Sequence, residues 1–358
     1  MLLKSPTLKS PSQKKFLNSI NYFRGIAIII IVLGHCYDLS HWNISNDVEK
    51  IFYSSTLNGS IYFLFISGFL YYHIFYHKFN YQEFMTKKVK YVLLPYLFFS
   101  TIPVLLTVFL GDGGEYLPSE LKHQPLLAIL WYFLTGKICH AYWYIPMVML
   151  LFAISPIVNW IIKSKYLLKV ILFSIPISMI VQRPIDNINP IHSLIYFFPI
   201  YLLGIWSSIH HQKIYAYLRS NNKKIMLLLV AIAIGAIQVL VFKESGNFNK
   251  EFWSISVPDI NLIQKILFCF LLMSILDTYE DTDIATMKKV AETSFPIYFI
   301  HPFLINAVIS VTTRLNIDYE GNFFTLIMVT CLAVIISMAI AYTMKAIFKQ
   351  NSRYLIGW

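Results

Sequence analysis

Charged side chains are scarce in this chain. Of its 358 residues only 13% are Asp, Glu, Lys or Arg, against 57% hydrophobic, where soluble domains carry roughly a quarter charged residues. With a mean hydropathy of +0.60, that shortage excludes an ordinary soluble domain. Cysteine is sparse too: Cys36, Cys139, Cys269 and Cys331 lie in or beside apolar runs, without metal-ligand spacing, so buried thiols and no metal centre are expected. Long polar stretches, heptads and low-complexity tracts are also missing. What remains is one membrane domain, residues 16–358, after a Lys-, Ser- and Pro-rich segment, residues 1–15, expected to be a disordered cytoplasmic N-terminus.

Acidic residues are outnumbered, 18 against 29 Lys and Arg, for a formal charge of +11. The surplus does not call for nucleic acid, because the basic residues cluster in alternate loops, as in a polytopic membrane protein. Apolar runs of about 17 to 25 residues mark membrane-crossing helices. On that basis ten are expected, beginning near Ile20, Leu57, Tyr91, Ala141, Tyr166, Ser193, Ile225, Ile260, Ser294 and Phe323. They end near Cys36, Tyr76, Leu110, Ile161, Val181, Ile209, Phe242, Asp277, Thr312 and Ile347. With the N-terminus inside, 20 Lys and Arg fall on the cytoplasmic side and eight outside, with Arg24 within the first helix. Both termini are therefore expected in the cytoplasm. Lys4, Lys9, Lys14 and Lys15 resemble the basic start of a signal peptide, but no small-residue cleavage site follows. The first run is expected to be a retained helix. Pro125 to Gly136 is too short to span and suggests a re-entrant or interfacial segment, bordering an outer cavity lined by Trp131, His140 and Trp143.

The first helix carries Arg24 and His35. Ionisable groups inside spans are costly and usually face a bundle interior or a wet cavity. Eleven residues make about three turns, which puts both side chains on nearly one side, roughly 16 Å apart. Arg24 admits two readings: it snorkels to the headgroups, or it binds phosphate or carbonyl oxygen. His35 is either a hydrogen-bonded boundary residue or a general base, for which an ordinary pKa of about 6.5 is suited. Asp38 shares its face if the helix continues that far, and would then orient the imidazole. Between the second and third helices Lys87 and Lys90 share a face suited to the phosphates of a nucleotide-bearing donor, although topology alone also accounts for them. In the ninth, Tyr298 and His301 stand three apart beside Pro296 and Pro302, either as a structural hydrogen-bonded pair or as part of a site at a kink.

Arg24-Gly25-Ile26-Ala27 running to His35 resembles the first-helix signature of the membrane-bound acyltransferase-3 family, in which Arg and His are separated by ten residues. Ser67-Gly68-Phe69-Leu70, the basic loop before Pro95, Trp143-Tyr144 and Tyr298 to His301 resemble that family in the same order. The resemblance implies bacterial transfer of an acetyl or similar group from cytoplasmic acyl-CoA to a hydroxyl of an extracytoplasmic glycan or lipid-linked saccharide, across the inner membrane. It further implies that Arg24 and His35 are required, with Trp143, Tyr298 and His301 at the acceptor. Many members have paired arginines in the first cytoplasmic loop where this chain has only lysines, which keep the charge but lose the bidentate fork. The stretch Lys90 to Tyr96 also resembles the branch linked to intercellular polysaccharide adhesin, whose members are described as exporters or as acyl-modifying enzymes. Two other readings therefore stand beside the enzyme: an exporter or flippase for a glycan, and a non-catalytic subunit of a polysaccharide synthase complex.

Overall fold

The computed structural model describes residues 16–111, 114, 116–317 and 319–358. The expected disordered N-terminal segment lies outside the described residues. Helix α1 (Asn18–His35) is followed by α2 (Tyr37–Ser40), α3 (Asp47–Thr56) and α4 (Ser60–Leu70), which continues through a π turn, Tyr71–Phe75. Helix α5 (Tyr81–Lys88) passes through a second π turn, Val89–Leu93, into α6 (Leu94–Phe109). After α7 (Pro125–Thr135) come α8 (Tyr144–Ala153), α9 (Ser155–Lys163), α10 (Leu167–Val181), α11 (Pro190–Leu218) and α12 (Asn221–Leu240). The chain closes with α13 (Asn261–Asp277), α14 (Ala285–Glu292), α15 (Ser294–Arg314), α16 (Phe323–Phe348) and α17 (Ser352–Leu355). One small parallel sheet pairs β1 (Arg183–Pro184) with β2 (Asn249–Lys250).

Each of the ten expected segments is helical, and the all-α, multi-pass architecture stands. Among the described residues six helices are long and apolar enough to cross a membrane, and the α8–α9 pair, bent by 56°, makes a seventh if it counts as one span. Helix α4 with its π turn, α10 and α13 are shorter; α10 has 15 residues and α13 has 17, against the ~20 that a full hydrocarbon core takes. The fourth expected helix is not continuous. It breaks at Ile154, where Pro156 has no N–H to offer the preceding turn.

The short segment at Pro125 forms an eleven-residue helix whose Leu126, Leu130 and Leu134 face outward while Ala128 and Tyr132 are buried. Spacing of four places the three leucines on one stripe. Gly136 ends this helix at φ 71°, and a Cβ there would come within 2.5 Å of the Tyr142 carbonyl, so only glycine fits.

Helices α1, α4 and α11 form the centre, while α12 and the α5–α6 helix lie at the periphery. The central packing depends on two glycines: a Cβ on Gly68 would sit 2.0 Å from the Tyr201 carbonyl oxygen, and one on Gly204 equally close to that of Phe65. Small residues let helix backbones approach in this way. Gly68→Ala and Gly204→Ala are each expected to cut the yield of monodisperse protein in detergent sharply, since overpacking costs about 1–3 kcal/mol or more. Gly34→Ala, whose Cβ would meet only a Leu57 methyl at 3.6 Å, should leave the yield unchanged. Equal yields from all three would disprove the close approach.

The start of α1 is tied down from the far end of the chain. Glu280 accepts from the backbone N–H groups of Asn18 (3.2 Å) and Ser19 (2.8 Å), and the Tyr22 hydroxyl donates to the Thr282 carbonyl (2.6 Å). A carboxylate at a helix N-terminus satisfies donors that have no partner within the helix and complements its dipole. This fixes the height at which α1 presents Arg24 and His35.

Candidate functional site

Arg24 and His35 line separate cavities at opposite ends of α1. The Arg24 cavity, about 310 Å³, is also bordered by Ser67, Lys88, Tyr91, Tyr144 and Tyr298. The guanidinium donates through Nε to the Ala291 carbonyl (3.0 Å) and through Nη2 to Asn21 Oδ1 (3.1 Å). Both of these partners are uncharged groups of the protein interior. With five N–H donors on a guanidinium, three remain for a ligand.

Lys87 and Lys90, which the sequence pattern groups, do not line this cavity. Lys87 is exposed and paired with Glu83 at 2.6 Å, and with Lys90 it borders a shallow surface depression that also includes Tyr91. Lys88 is the cation that lines the Arg24 cavity, with its ammonium 4.3 Å from the Phe152 ring centroid and 5.0 Å from those of Phe75 and Phe84. Tyr91 borders both spaces, so the depression adjoins the cavity.

The His35 cavity, about 240 Å³, is more polar and is lined by Asp38, Asn58, His140, Trp143 and Arg183 among others. Of the three residues expected at an outer cavity, His140 and Trp143 are there. Trp131 is not; it packs on Tyr132, ring centroids 5.1 Å apart. Asp38 borders the cavity but is exposed and is not hydrogen-bonded to His35, because α1 ends at His35 and the chain turns at Cys36 into α2. The condition for an orienting carboxylate one turn further along the same helix is not met.

Arg183, which sequence reasoning did not single out, is the buried cation of this cavity. Its guanidinium lies 5.2 Å from the Trp143 ring centroid. Nε and Nη2 donate to Asn187 Oδ1 (3.2 and 2.9 Å), and Nη1 donates to Asn58 Oδ1 (3.3 Å). Asn58 donates in turn to the Tyr196 hydroxyl (3.1 Å), which donates to Asp259 Oδ2 (2.7 Å). Burial pushes the Asp259 carboxyl up from its ordinary range, against the hydrogen bond from Tyr196. Around Arg183 the backbone is strained, with Gln182, Asp186 and Asn187 at φ of 57°, 52° and 56°, and β1 pairing sets Arg183 opposite Asn249. Strain of this kind persists only where the surroundings over-determine it, and it clusters at functional sites.

A second histidine, His301, lies beside His35. The His35 and His301 ring centroids are 5.4 Å apart. The Tyr298 and His301 side chains do not bond to each other: the Tyr298 hydroxyl donates to the Ala141 carbonyl (2.5 Å), and His301 Nδ1 lies 2.8 Å from the Ile297 carbonyl. Tyr298 belongs to the Arg24 cavity, and of two neighbours at the start of α8, Trp143 lines the His35 cavity and Tyr144 the other. Both cavities take lining residues from α1 and from the start of α8. Among the described residues no group of His, Cys, Asp and Glu has the arrangement to hold a metal ion.

Comparison with known proteins places this geometry. The acyltransferase domain family is matched over residues 17–342. Similar chains include proteins of Staphylococcus aureus strains MSSA476 and MW2, each named a probable poly-beta-1,6-N-acetyl-D-glucosamine export protein. Both are 22% identical, over 90% of this chain and 91% of theirs. No solved structure matches. A family match that takes in α1 through most of α16, on a bundle that sets the first-helix arginine and histidine at two cavities, means that this multi-pass membrane protein belongs to the acyltransferase-3 family.

Proposed function

We propose that the chain is an O-acyltransferase that takes an acyl group, acetyl in the simplest case, from a coenzyme A thioester at the Arg24 cavity and passes it to a glycan hydroxyl at the His35 cavity. The observation that carries this reading is that α1 presents a cation to one cavity and an imidazole to another, with the His301 ring beside that of His35. Donor phosphates suit the depression bordered by Lys87 and Lys90, the thioester arm suits the adjoining Arg24 and Lys88 cavity, and Tyr91 borders both. On the other side, Trp143 offers a ring face for a sugar and Arg183 offers N–H donors. His35 takes the hydroxyl proton as the oxygen attacks the carbonyl carbon. Arg183 is the nearest candidate to stabilise the developing oxyanion.

The test uses purified protein in proteoliposomes with labelled acetyl-CoA outside and β-1,6-linked N-acetylglucosamine oligosaccharide inside. Labelled ester on the oligosaccharide supports the enzyme. The names of the staphylococcal relatives favour a second reading, export of a polysaccharide. Under that reading, loss of the gene would lower the amount of surface glycan without changing its acyl content per sugar.

The enzyme reading places the Arg24 cavity on the cytoplasmic side of a bacterial inner membrane, with both termini inside. Reporter fusions at residue 358 and between Lys213 and Lys224 should read cytoplasmic, and one between Asp112 and Lys122 should read outside. An outside signal at residue 358 would reverse the two cavities and remove the donor from reach.

A further inference from the structure

One carbonyl carbon has to serve both halves of acyl transfer, because the attacking oxygen and the leaving sulfur bond to the same atom. The linings of the two cavities point to one place for it. On α8 they meet at consecutive residues, Trp143 in the His35 cavity and Tyr144 in the Arg24 cavity. On α4 they lie three residues apart, Ser60 in the former and Phe63 in the latter, a rise of about 4.5 Å. The Phe63 and Tyr144 rings, with centroids 6.5 Å apart, therefore border the Arg24 cavity on the side where the linings meet. Tyr298 packs on the same Tyr144 ring at 6.0 Å. The Tyr144 hydroxyl differs from those of the tyrosines around it. Tyr142 donates to the Phe299 carbonyl (2.7 Å) and Tyr298 to the Ala141 carbonyl (2.5 Å), whereas the half-buried Tyr144 makes no side-chain hydrogen bond among the described residues.

We infer that Tyr144 is a catalytic residue whose hydroxyl donates to the carbonyl oxygen of the thioester. The inference rests on the acyl-transfer reading above. A polar group left unpaired away from water is costly, and the cations of the same cavity, Arg24 and Lys88, cannot accept from a hydroxyl. The acceptor is therefore one that the donor substrate brings. In the balanced step the glycan oxygen bonds to the carbonyl carbon, its proton passes to His35, and the C=O electron pair moves onto the carbonyl oxygen. That pair then returns, the C–S bond breaks, and the sulfur takes the proton from His35. The products are an ester and a free thiol, and Tyr144 keeps its own proton throughout. A donor held against an oxygen where negative charge develops contributes more in the transition state than in the ground state. A carbonyl oxygen has two lone pairs, so donation by Tyr144 from the donor side leaves one for Arg183 from the acceptor side.

The test compares wild type with Tyr144→Phe, which keeps the ring and its packing and removes only the hydroxyl, at matched amounts of monodisperse protein. In the proteoliposome assay with acetyl-CoA and the β-1,6-linked N-acetylglucosamine oligosaccharide, kcat is expected to fall about 100-fold, as when one oxyanion donor is removed, while KM for acetyl-CoA rises less than about tenfold. Binding of two unreactive donor analogues supplies a readout that a merely structural role would not move. One is the ketone in which a methylene replaces the sulfur of acetyl-CoA, so that the carbonyl is kept; the other is S-ethyl-CoA, a thioether without a carbonyl. Wild type is expected to bind the ketone about threefold or more tighter than the thioether, and Tyr144→Phe to bind the two equally. Transfer by Tyr144→Phe within threefold of wild type overturns the assignment and leaves the acyltransferase reading standing. Wild type that binds both analogues alike, or a variant that loses activity yet still prefers the ketone, overturns it too, since the carbonyl then has no partner or a different one. Wild-type protein that moves the oligosaccharide across the membrane without acylating it overturns both.

Discussion

Alanine in place of His35 is expected to abolish acyl transfer while leaving the protein folded and inserted. His35 is the last residue of α1, so losing its ring removes no hydrogen bond from the helix interior, and a single boundary imidazole contributes little to insertion. What is lost is a base at the wall of the His35 cavity, in ring contact with His301. General-base catalysis contributes about 10²- to 10⁴-fold. His35→Gln should fail as completely, because an amide fills the space without accepting the proton. The measurement is labelled ester on the oligosaccharide at matched protein levels. Activity of His35→Ala near wild type would eliminate the general-base role, and activity of His35→Gln alone would show that only a polar side chain is needed.

The sequence made one helix of this site legible and little of what surrounds it. Arg24 and His35 could be paired because three turns of a single helix relate them, and local periodicity is visible in one dimension. Trp143 and His301 could be found because polar or aromatic residues stand out against apolar spans. Arg183, Asn58, Tyr196 and Asp259 could not, since their hydrogen bonds join positions 63 to 138 residues apart and the β1–β2 register sets the arginine in place. A lone Arg in an outer loop of a basic protein carries no signal by itself. Lys88 was hidden for a different reason. Regular helical spacing groups Lys87 with Lys90, but the π turn that begins at Val89 changes which face meets the bundle, and Pro95, whose missing N–H the turn accommodates, was the available hint. A buried cation is not by itself a site, either: Lys265 is fully buried and donates to the Ser54 and Ser55 carbonyls (2.8 and 2.6 Å), capping the last turn of α3.

Lysine in place of Arg24 is expected to leave the protein inserted and folded but to lower acyl transfer by more than tenfold. The sequence left two roles for this residue, and the geometry now separates them. A snorkelling arginine sends its charge out to the headgroups, whereas this guanidinium is held inward, on the Ala291 carbonyl and Asn21, at the edge of a cavity shared with Lys88 and Tyr298. Two of its five donors are used to hold the fork in place, which leaves three for a phosphate or thioester oxygen. A lysine ammonium has three donors on one atom and cannot both reproduce the two anchoring bonds, which leave from different nitrogens, and present a planar pair to a ligand. Charge-assisted hydrogen bonds contribute about 1.5–3 kcal/mol each, so losing one corresponds to roughly a ten- to hundredfold fall. If Arg24 acts on the bound donor, that fall should appear in kcat/KM for acetyl-CoA, with the dependence on oligosaccharide concentration unchanged. Wild-type kinetics from Arg24→Lys would reduce the requirement to a positive charge, and Arg24→Ala would then decide whether even that is needed. A fall confined to the oligosaccharide term would move the donor away from this cavity altogether.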